Sequence, residues 1–256
     1  MGRKKTIKPR CDLQPTPDEI EARLHPRTHP NPELYCKKLP DGVPATNPWY
    51  WTMRQAFRMT LPLLWKVRVY NRHFEPTSGG TVYICNHQSF LDPMLMGFAL
   101  RRPMNFMARD SLFKWGPLRK WITSVNAFPV KRGTADLGAI KEAMRRLKAG
   151  GQVVLFAEGT RTTDGRIANL LPGVAMLAQR AAKWTIPVVI DGAFEAYPRD
   201  SLLPNLGKII VQYAKPLSQA EAKSFEPHDL MDHARKKMIE IQSDIRKRAG
   251  KEPLKY

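Results

Sequence analysis

The stretch TVYICNHQSFLDP, residues 81–93, indicates the fold more clearly than any other part of this chain. Its first residues, Thr81–Cys85, are mostly β-branched or aromatic, as in a buried strand. Polar residues then form a connection. Asp92 followed by Pro93 is a typical helix start, with aspartate as the N-cap and proline as the first helical residue. The stretch therefore predicts a strand, a loop and a helix in succession.

The same alternation continues along the chain. Strand-like runs lie at 81–85, 104–108, 127–130, 152–157, 186–191 and 208–213. Helical patterns lie at 93–101, 110–123, 134–149, 172–183 and 226–249. This alternation predicts an α/β domain with a largely parallel sheet flanked by helices. In such sheets ligands bind beyond the carboxyl ends of the strands, where the loops that start at Asn86 and Glu158 are expected.

Two segments precede this domain, which we place at residues 75–256 and which ends in a basic helix. Residues 1–47 are rich in proline and charge and show little periodicity, so we expect an irregular N-terminal arm. The basic C-terminal helix, near 226–249, presents either a solvated face or a surface for a membrane or a carrier protein.

Residues 48–74 combine aromatic and basic side chains, and no acidic residue occurs between Asp41 and Glu75. Apolar positions recur at helical spacing: Met53, Phe57, Leu61 and Leu64. Arg54 is expected one step round the helix, and Pro62 is expected to kink or split it. The pattern predicts a basic aromatic helical segment at the interface of an anionic membrane. Packing of the aromatic stripe on the core is the alternative.

The chain has 256 residues, a net charge of +19 and a pI near 10.1, which imply an anionic partner. Nucleic acid, an anionic membrane and an acidic carrier protein all fit that charge. The absence of helix-turn-helix, zinc and RNA-binding signatures argues against nucleic acid. Three cysteines without paired or metal-binding spacing favour a reducing compartment. No apolar stretch is long enough to span a membrane, so we expect no transmembrane helix.

His87 and Asp92 are the first candidate catalytic residues. A carboxylate that accepts a hydrogen bond from histidine Nδ1 fixes the tautomer and leaves Nε2 as a base. Because no serine or cysteine elbow accompanies the pair, the nucleophile is expected to be a hydroxyl of the substrate itself. The alternative is that Asp92 only caps the helix.

The run Glu158-Gly159-Thr160-Arg161 follows the strand-like residues 152–157. An arginine grips phosphate with two parallel hydrogen bonds, and a glycine allows close backbone approach. Glu158 is expected to hold Arg161 or a neighbouring amide. The alternative is an ordinary turn, with Asp164-Gly165 making a hairpin. Lys131 and Arg132, at the end of the strand 127–130, are placed to meet the same phosphate.

In combination these motifs resemble the glycerolipid acyltransferases, specifically the 1-acylglycerol-3-phosphate acyltransferase (PlsC-like) group, over roughly residues 75–215. The family's His-x4-Asp motif falls on His87 and Asp92, and its Glu-Gly-Thr-Arg motif is complete at Glu158–Arg161. The arginine of the intermediate motif falls on Arg132. The proline-centred strand of the family resembles residues 185–189.

The resemblance implies an acyltransferase in which His87 is the general base, oriented by Asp92. Arg132 and Arg161 would bind the phosphate of a lysophospholipid acceptor, with Glu158, Gly159 and Thr160 completing the substrate site. The acceptor would be lysophosphatidic acid and the product phosphatidic acid. The donor would be acyl-CoA or acyl carrier protein, with no cofactor and no metal. The protein would be cytoplasmic and peripheral, on the inner face of an anionic membrane.

Two positions depart from the family pattern. Asn126 stands where the intermediate motif usually begins with glycine, and Leu170-Leu171-Pro172 stands where a Phe-Lys pair often precedes the glycine corresponding to Gly173. The missing lysine keeps another lysophospholipid or a lyso-aminolipid open as the acceptor. A non-enzymatic protein that binds an anionic membrane or nucleic acid is the remaining alternative, against which the complete motifs argue.

Overall fold

The computed structural model describes residues 48–131, 136–198, 201 and 203–256. The expected N-terminal arm at 1–47 and the expected phosphate ligand Arg132 lie outside the described residues. The helices are α1 (Pro48–Trp65), α2 (Asp92–Ala99), α3 (Gly116–Ser124), α4 (Leu137–Lys148), α5 (Gly173–Arg180), α6 (Ala193–Ala196), α7 (Gln219–Lys223) and α8 (Pro227–Arg248). The strands are β1 (Arg68–Tyr70), β2 (Thr81–Cys85), β3 (Met104–Arg109), β4 (Ala127–Val130), β5 (Gln152–Phe156), β6 (Trp184–Asp191), β7 (Ile210–Tyr213) and β8 (Leu217–Ser218).

The strands form one sheet in the order β1-β7-β6-β2-β5-β3-β4, with β8 paired to the start of β6. The run from β6 to β4 is parallel, whereas β7 and β8 are antiparallel to β6 and β1 is parallel to β7. The predicted largely parallel sheet is therefore confirmed. Every residue of β2, at the centre, is buried, because helices cover both faces of the sheet.

Alternate side chains of β2 enter two different cores. Val82 and Ile84 pack with α4, α5 and α8 on one face. Tyr83 and Cys85 pack with α1, α2 and α3 on the other. Cys85 is a free, buried thiol; the other cysteines lie outside the described residues. The two-residue period of the strand thus produces the three-layer architecture.

The segment 48–74 is helical over a shorter range than predicted. Pro62 lies inside α1 without splitting it, and the helix ends at Trp65. Lys66 then adopts a positive φ of 44°, which turns the chain out of the helix. The residues that follow form β1, paired with β7, and a 3₁₀ turn at Arg72–Phe74.

The buried face of α1 also differs from the expected stripe. Tyr50, Arg54, Leu61 and Trp65 are buried, whereas Leu64 is exposed. Arg54 was expected on the polar side, but its guanidinium donates to the carbonyl of Leu100 at the end of α2, where helix carbonyls lack intrahelical partners. The face of α1 that carries Tyr50, Arg54, Leu61 and Trp65 therefore packs on the core. No helix among the described residues is both long and apolar enough to cross a membrane.

Candidate active site

The candidate site lies at the carboxyl ends of β2 and β5, which are neighbours in the sheet with Cys85 opposite Phe156. Because the strands are parallel, the loops that follow them leave the sheet side by side. The side chain of Asn86 pairs with both the N–H and the C=O of Ile190 on β6, at 2.8 Å each. The amide of Thr162 donates to the carbonyl of His87 at 2.8 Å, which ties the two loops together.

His87 and Asp92 form the pair that the spacing predicted. His87 Nδ1 lies 2.7 Å from Asp92 Oδ2, and both residues are buried. The same carboxylate oxygen accepts from the amides of Gln88 and Ser89, at 2.7 and 2.8 Å. Since an ionised carboxylate only accepts, Nδ1 carries the hydrogen and Nε2 is left as a base.

The alternative of a purely capping aspartate is wrong. The helix α2 begins with Asp92 itself, Leu91 is its N-cap, and no side-chain cap is formed. The carboxylate turns back over the preceding loop, where it accepts from Gln88 and Ser89. Asp92 therefore closes the loop around the histidine and does not cap the helix.

Burial raises the pKa of the Asp92 carboxyl, and the hydrogen bonds from His87, Ser89 and Gln88 oppose that shift. These bonds favour the ionised form. The carboxylate is thus placed to stabilise an imidazolium on His87 once that ring has taken up a proton.

The imidazole is held from a second direction by Phe156, the last residue of β5. The two rings stack, with centroids 4.3 Å apart and planes 21° from parallel. Sequence reasoning missed Phe156, because its contact with His87 depends on the register of β5 against β2. Its place at the end of the strand that leads into the second motif was the available signal.

Gln88 is a second residue that sequence reasoning missed. Its amide nitrogen donates to the carbonyl of Gly165 at 3.2 Å. Its oxygen accepts from the amides of Ala193 and Phe194, at 3.1 and 3.2 Å, at the start of α6. The residue next to the histidine therefore connects three loops at this edge of the sheet.

Glu158 is buried, and both of its carboxylate oxygens accept from backbone amides. Oε1 accepts from His87 at 2.8 Å, and Oε2 accepts from Ala168 at 3.1 Å. Burial raises its pKa to about 7, against the effect of those two hydrogen bonds. Of the two roles expected for Glu158, holding Arg161 or holding an amide, these bonds show the second. Its assignment to substrate binding stays a prediction.

Gly159, Thr160 and Arg161 follow Glu158 in the loop after β5. Gly159 has a φ of 73°, which a side chain would strain, and Thr160 is exposed. The guanidinium carbon of Arg161 lies 3.6 Å from the ring centroid of Phe90, an exposed residue of the loop after β2. This cation–π contact brings the two motifs together and orients the guanidinium.

The hairpin that the alternative interpretation placed at Asp164-Gly165 does not form. Asp164 Oδ1 accepts from the Thr162 hydroxyl and from the Arg166 amide, each at 3.0 Å, which closes a tight turn. The next regular element is the helix α5, so no strand pairs back onto β5. We call residues 159–172 the motif loop.

Other cations end strands at the same edge. Lys131 follows β4, and its amide donates to Asp136 at 2.9 Å. Arg109 ends β3, which lies between β5 and β4, and is exposed. Sequence reasoning missed Arg109, although a basic residue at the end of a strand was a usable signal. The meeting of these cations with one phosphate stays a prediction.

The two departures from the family pattern have different structural meanings. Asn126 has a φ of 67°, in the left-handed region that favours glycine and that asparagine tolerates better than most residues. Asparagine in place of glycine therefore preserves the backbone conformation.

Leu171 is half exposed and lies against Gly159, with its Cδ1 3.1 Å from the position that a Cβ on Gly159 would occupy. An apolar side chain thus occupies this side of the motif loop.

Comparison with known proteins also points to an acyltransferase. Residues 66–191 match the family described as Acyltransferase. The 1-acyl-sn-glycerol-3-phosphate acyltransferase of Bacillus subtilis is 30% identical over 171 residues, which cover 65% of this chain and 81% of that protein. A chloroplastic enzyme of the same name from Arabidopsis thaliana is 30% identical over 163 residues, which cover 62% of this chain and 44% of the relative.

A solved structure has the same fold. The crystal structure of the 1-acyl-sn-glycerophosphate acyltransferase PlsC from Thermotoga maritima matches with a TM-score of 0.66 and 21% identity, over 77% of this chain and 79% of that one. At this identity the likeness is one of fold. By its match to the family and to the Bacillus subtilis enzyme, this chain belongs to the glycerolipid acyltransferase family, in the group of the 1-acylglycerol-3-phosphate acyltransferases.

Proposed function

We propose that this protein transfers a fatty acyl group to the free hydroxyl of lysophosphatidic acid and so forms phosphatidic acid for phospholipid synthesis. The observation that carries the proposal is the buried 2.7 Å contact between His87 Nδ1 and Asp92 Oδ2, with Arg161 of the motif loop held against Phe90 in the same loop as that pair. The names of the relatives support the acceptor.

The reaction follows from that geometry. His87 Nε2 takes the proton from the acceptor hydroxyl as its oxygen attacks the thioester carbonyl of the donor. The C–O bond forms, the tetrahedral intermediate collapses, and the C–S bond breaks. The leaving thiolate receives the proton from the imidazolium, which Asp92 has stabilised meanwhile. The thioester itself supplies the driving force, and the proposed acyl transfer changes no oxidation state. We propose that it uses no metal and no redox cofactor. The donor is acyl-CoA or acyl carrier protein.

Arg161, with Arg132, is proposed to bind the phosphate of the acceptor. Two parallel N–H groups of a guanidinium match two phosphate oxygens, and the Phe90 ring restricts where the Arg161 guanidinium lies. Arg161→Ala should therefore raise KM for lysophosphatidic acid more than it lowers kcat. Monoacylglycerol, which lacks the phosphate, is the control acceptor. The variant and the wild type should acylate it with equal kcat/KM.

We place the enzyme peripherally on the inner, cytoplasmic face of an anionic membrane, where its lipid acceptor resides. The basic charge of the chain and the exposed apolar side chains of α1 support this placement: Trp49, Met59, Leu63 and Leu64. We propose no nucleic-acid partner.

A second acceptor class is favoured by one observation. Leu171 occupies the side of the motif loop where the family pattern often has lysine, and it packs against Gly159. A site with one cation fewer attracts an anionic headgroup less strongly, so it discriminates less against acceptors with a different headgroup charge. Another lysophospholipid or a lyso-aminolipid is therefore the alternative acceptor.

The test is an acyl-transfer assay on the purified protein with a panel of lysolipid acceptors and both donor classes. The proposal expects lysophosphatidic acid to give the highest kcat/KM. Product from another lysolipid alone would retain the chemistry and replace the acceptor. Absence of product from every pair of donor and acceptor, in a folded protein, would overturn the proposed activity.

A further inference from the structure

The segment between β3 and β4 exposes large apolar side chains that the active site does not use. Trp115 is 65% exposed, and Leu112 and Trp121 are about 40% exposed. Leu112 lies in a 3₁₀ turn after β3, Trp115 precedes α3, and Trp121 lies within α3. We call residues 111–121 the tryptophan patch. Exposed groups of this size at neighbouring positions mark an interaction surface more often than an ordinary solvated one.

The inner side of this segment is anchored, so the exposure does not come from a detached loop. Ile122 is buried, and Phe113 and Leu118 pack against the core beneath α1 and α2. Most of the remaining side chains of α3 are exposed. The patch is thus a fixed surface whose apolar groups have no covering among the described residues.

The charge of the patch has one sign. Lys114, Arg119 and Lys120 are exposed among the apolar residues, and the sequence contains no acid between Asp110 and Asp136. Tryptophan beside lysine and arginine is typical of the interface of an anionic bilayer, since the indole ring prefers the headgroup region and the cations prefer anionic lipid.

The position of the patch agrees with this partner. It begins two residues after Arg109, which ends β3, and β3 is the neighbour of β5. It therefore lies at the same sheet edge as His87 and the motif loop. The helix α3 also covers the same face of the sheet as α1, whose exposed apolar residues carry the membrane placement proposed above.

We propose that the tryptophan patch is a second membrane-binding surface, which acts with α1 to hold the active-site edge of the sheet against an anionic bilayer. The inference rests on the proposed function only in that the acceptor is a membrane lipid. An acidic carrier protein would satisfy the cations, but the two exposed indoles favour lipid.

The first test measures binding to vesicles, independently of activity. Two variants are compared with the wild type, Trp115→Ser/Trp121→Ser and Arg119→Gln/Lys120→Gln, on phosphatidylcholine vesicles with and without phosphatidylglycerol. Each cation near an anionic surface contributes roughly fivefold to affinity, so the charge variant should bind anionic vesicles at least about tenfold more weakly. The tryptophan variant should lose affinity for both kinds of vesicle.

Matched controls lie on the opposite face of the sheet. Leu137→Ser changes an exposed leucine of α4, and Lys236→Gln changes an exposed lysine of α8. Neither control should alter binding, and circular dichroism should show all variants folded. Vesicle affinity unchanged in both patch variants would overturn the proposal. So would variants that bind vesicles normally but lose binding to acyl carrier protein, since the partner would then be the carrier.

A second readout separates this proposal from the proposed function. The patch variants should acylate a short-chain, water-soluble lysophosphatidic acid at the wild-type rate and lose activity only on vesicle-bound acceptor. If the wild type acylated no lysolipid but its vesicle binding still depended on the patch, the membrane-binding role of the patch would be supported and the proposed function would be wrong. If the patch variants were fully active on the vesicle-bound acceptor, the proposed membrane-binding role of the patch would be wrong.

Discussion

At the scale of single residues, one oxygen atom organises the catalytic loop. Asp92 Oδ2 accepts from His87 Nδ1 and from the amides of Gln88 and Ser89, so the group that orients the base also fixes the loop that carries it. Glu158 repeats this arrangement from the other motif by accepting the His87 amide. The histidine is therefore held through both its ring and its backbone.

Asp92→Asn should lower kcat by about 10²–10⁴-fold and change KM little, because the amide no longer fixes the tautomer or stabilises the imidazolium. Initial-rate kinetics on the lysolipid acceptor measure this. The matched control is Asp232→Asn in α8, where an exposed His228–Asp232 pair at 3.2 Å has no part in the site. An Asp92→Asn enzyme with the wild-type kcat would show that the pair does not activate the hydroxyl.

Asn126 gives a prediction about stability. Asn126→Gly keeps the backbone conformation and loses the packing of a buried side chain, with its 3.3 Å hydrogen bond from Nδ2 to the Met104 carbonyl. Asn126→Ala loses that bond and also pays for a left-handed backbone, so it should be less stable than Asn126→Gly by about 1–2 kcal/mol. Denaturant unfolding measures the difference. At Asn105, within β3, the order should reverse, because glycine weakens a strand.

The residue scale also shows where sequence reasoning succeeds. The spacing of His87 and Asp92 across a loop and a helix start was enough to predict their pairing, because both residues lie in one local unit. The stacking of Phe156 on His87 was not predictable in the same way. It depends on which strand pairs with β2 and in which register.

At the scale of elements, α8 holds the motif loop from behind. Arg235 donates from Nε to the carbonyl of Ala168 and from Nη2 to that of Ile167, at 3.0 and 3.1 Å. Gln242 donates to the carbonyl of Gly165 at 3.0 Å. Some of the cations of this helix therefore serve the fold, whereas the sequence had suggested a solvated face or a surface for a partner.

Arg235→Ala should loosen the motif loop at Ala168, whose amide fixes Glu158. We expect a loss of about 1–3 kcal/mol in the free energy of unfolding from the two hydrogen bonds and a several-fold fall in kcat. Arg235→Lys should recover part of the kcat. The adjacent Lys236→Ala, at an exposed position, is the control and should change neither quantity. If Arg235→Ala lowered stability but left kcat unchanged, α8 would support the fold without positioning the site.

The regular elements were predicted unequally. The runs at 81–85 and 127–130 agree with β2 and β4 residue for residue, because each is bounded by clear turn signals. The short elements β1, β8, α6 and α7 were missed, since a few residues display no measurable period. The helix expected at 110–123 divides into a 3₁₀ turn and α3, and Pro117 in the first turn of α3 marks the new start.

At the scale of the whole molecule, the buried carboxyl of Glu158 links folding to pH. Its pKa is about 7 in the folded protein, against 4.5 for an unperturbed glutamate. The folded state therefore binds more protons than the unfolded state between those values, and stability is lost as pH rises through them. The total effect is about 3 kcal/mol at most.

Glu158→Gln removes that titration together with one of the two amide contacts, since its NH₂ group cannot accept. The variant should be less stable than the wild type, and the difference should be largest near pH 5 and smallest near pH 8. Unfolding free energies measured across that range give the comparison. Stability curves that run parallel at every pH would contradict the raised pKa of Glu158.

The layer architecture was predictable from the sequence because strands and helices alternate at ordinary lengths. Which face of α1 is buried was not, because Arg54 is drawn inward by a carbonyl at the end of α2, a contact between distant parts of the chain. The pairing of His87 with Asp92 was predicted from the sequence, and the structure shows it; their catalytic role stays a prediction. The contacts that Phe156, Gln88 and α8 make with the two loops were not predicted, because they depend on how distant parts of the chain pack.

In the proposed reaction His87 activates the acceptor hydroxyl for acyl transfer. Its most direct test is the rate of phosphatidic acid formation from lysophosphatidic acid and an acyl thioester, by wild type and by His87→Ala. We predict product from the wild type and a loss of at least about 10³-fold in the variant, with the same circular dichroism spectrum and vesicle binding. Product formed by His87→Ala at a rate near that of the wild type would contradict the account.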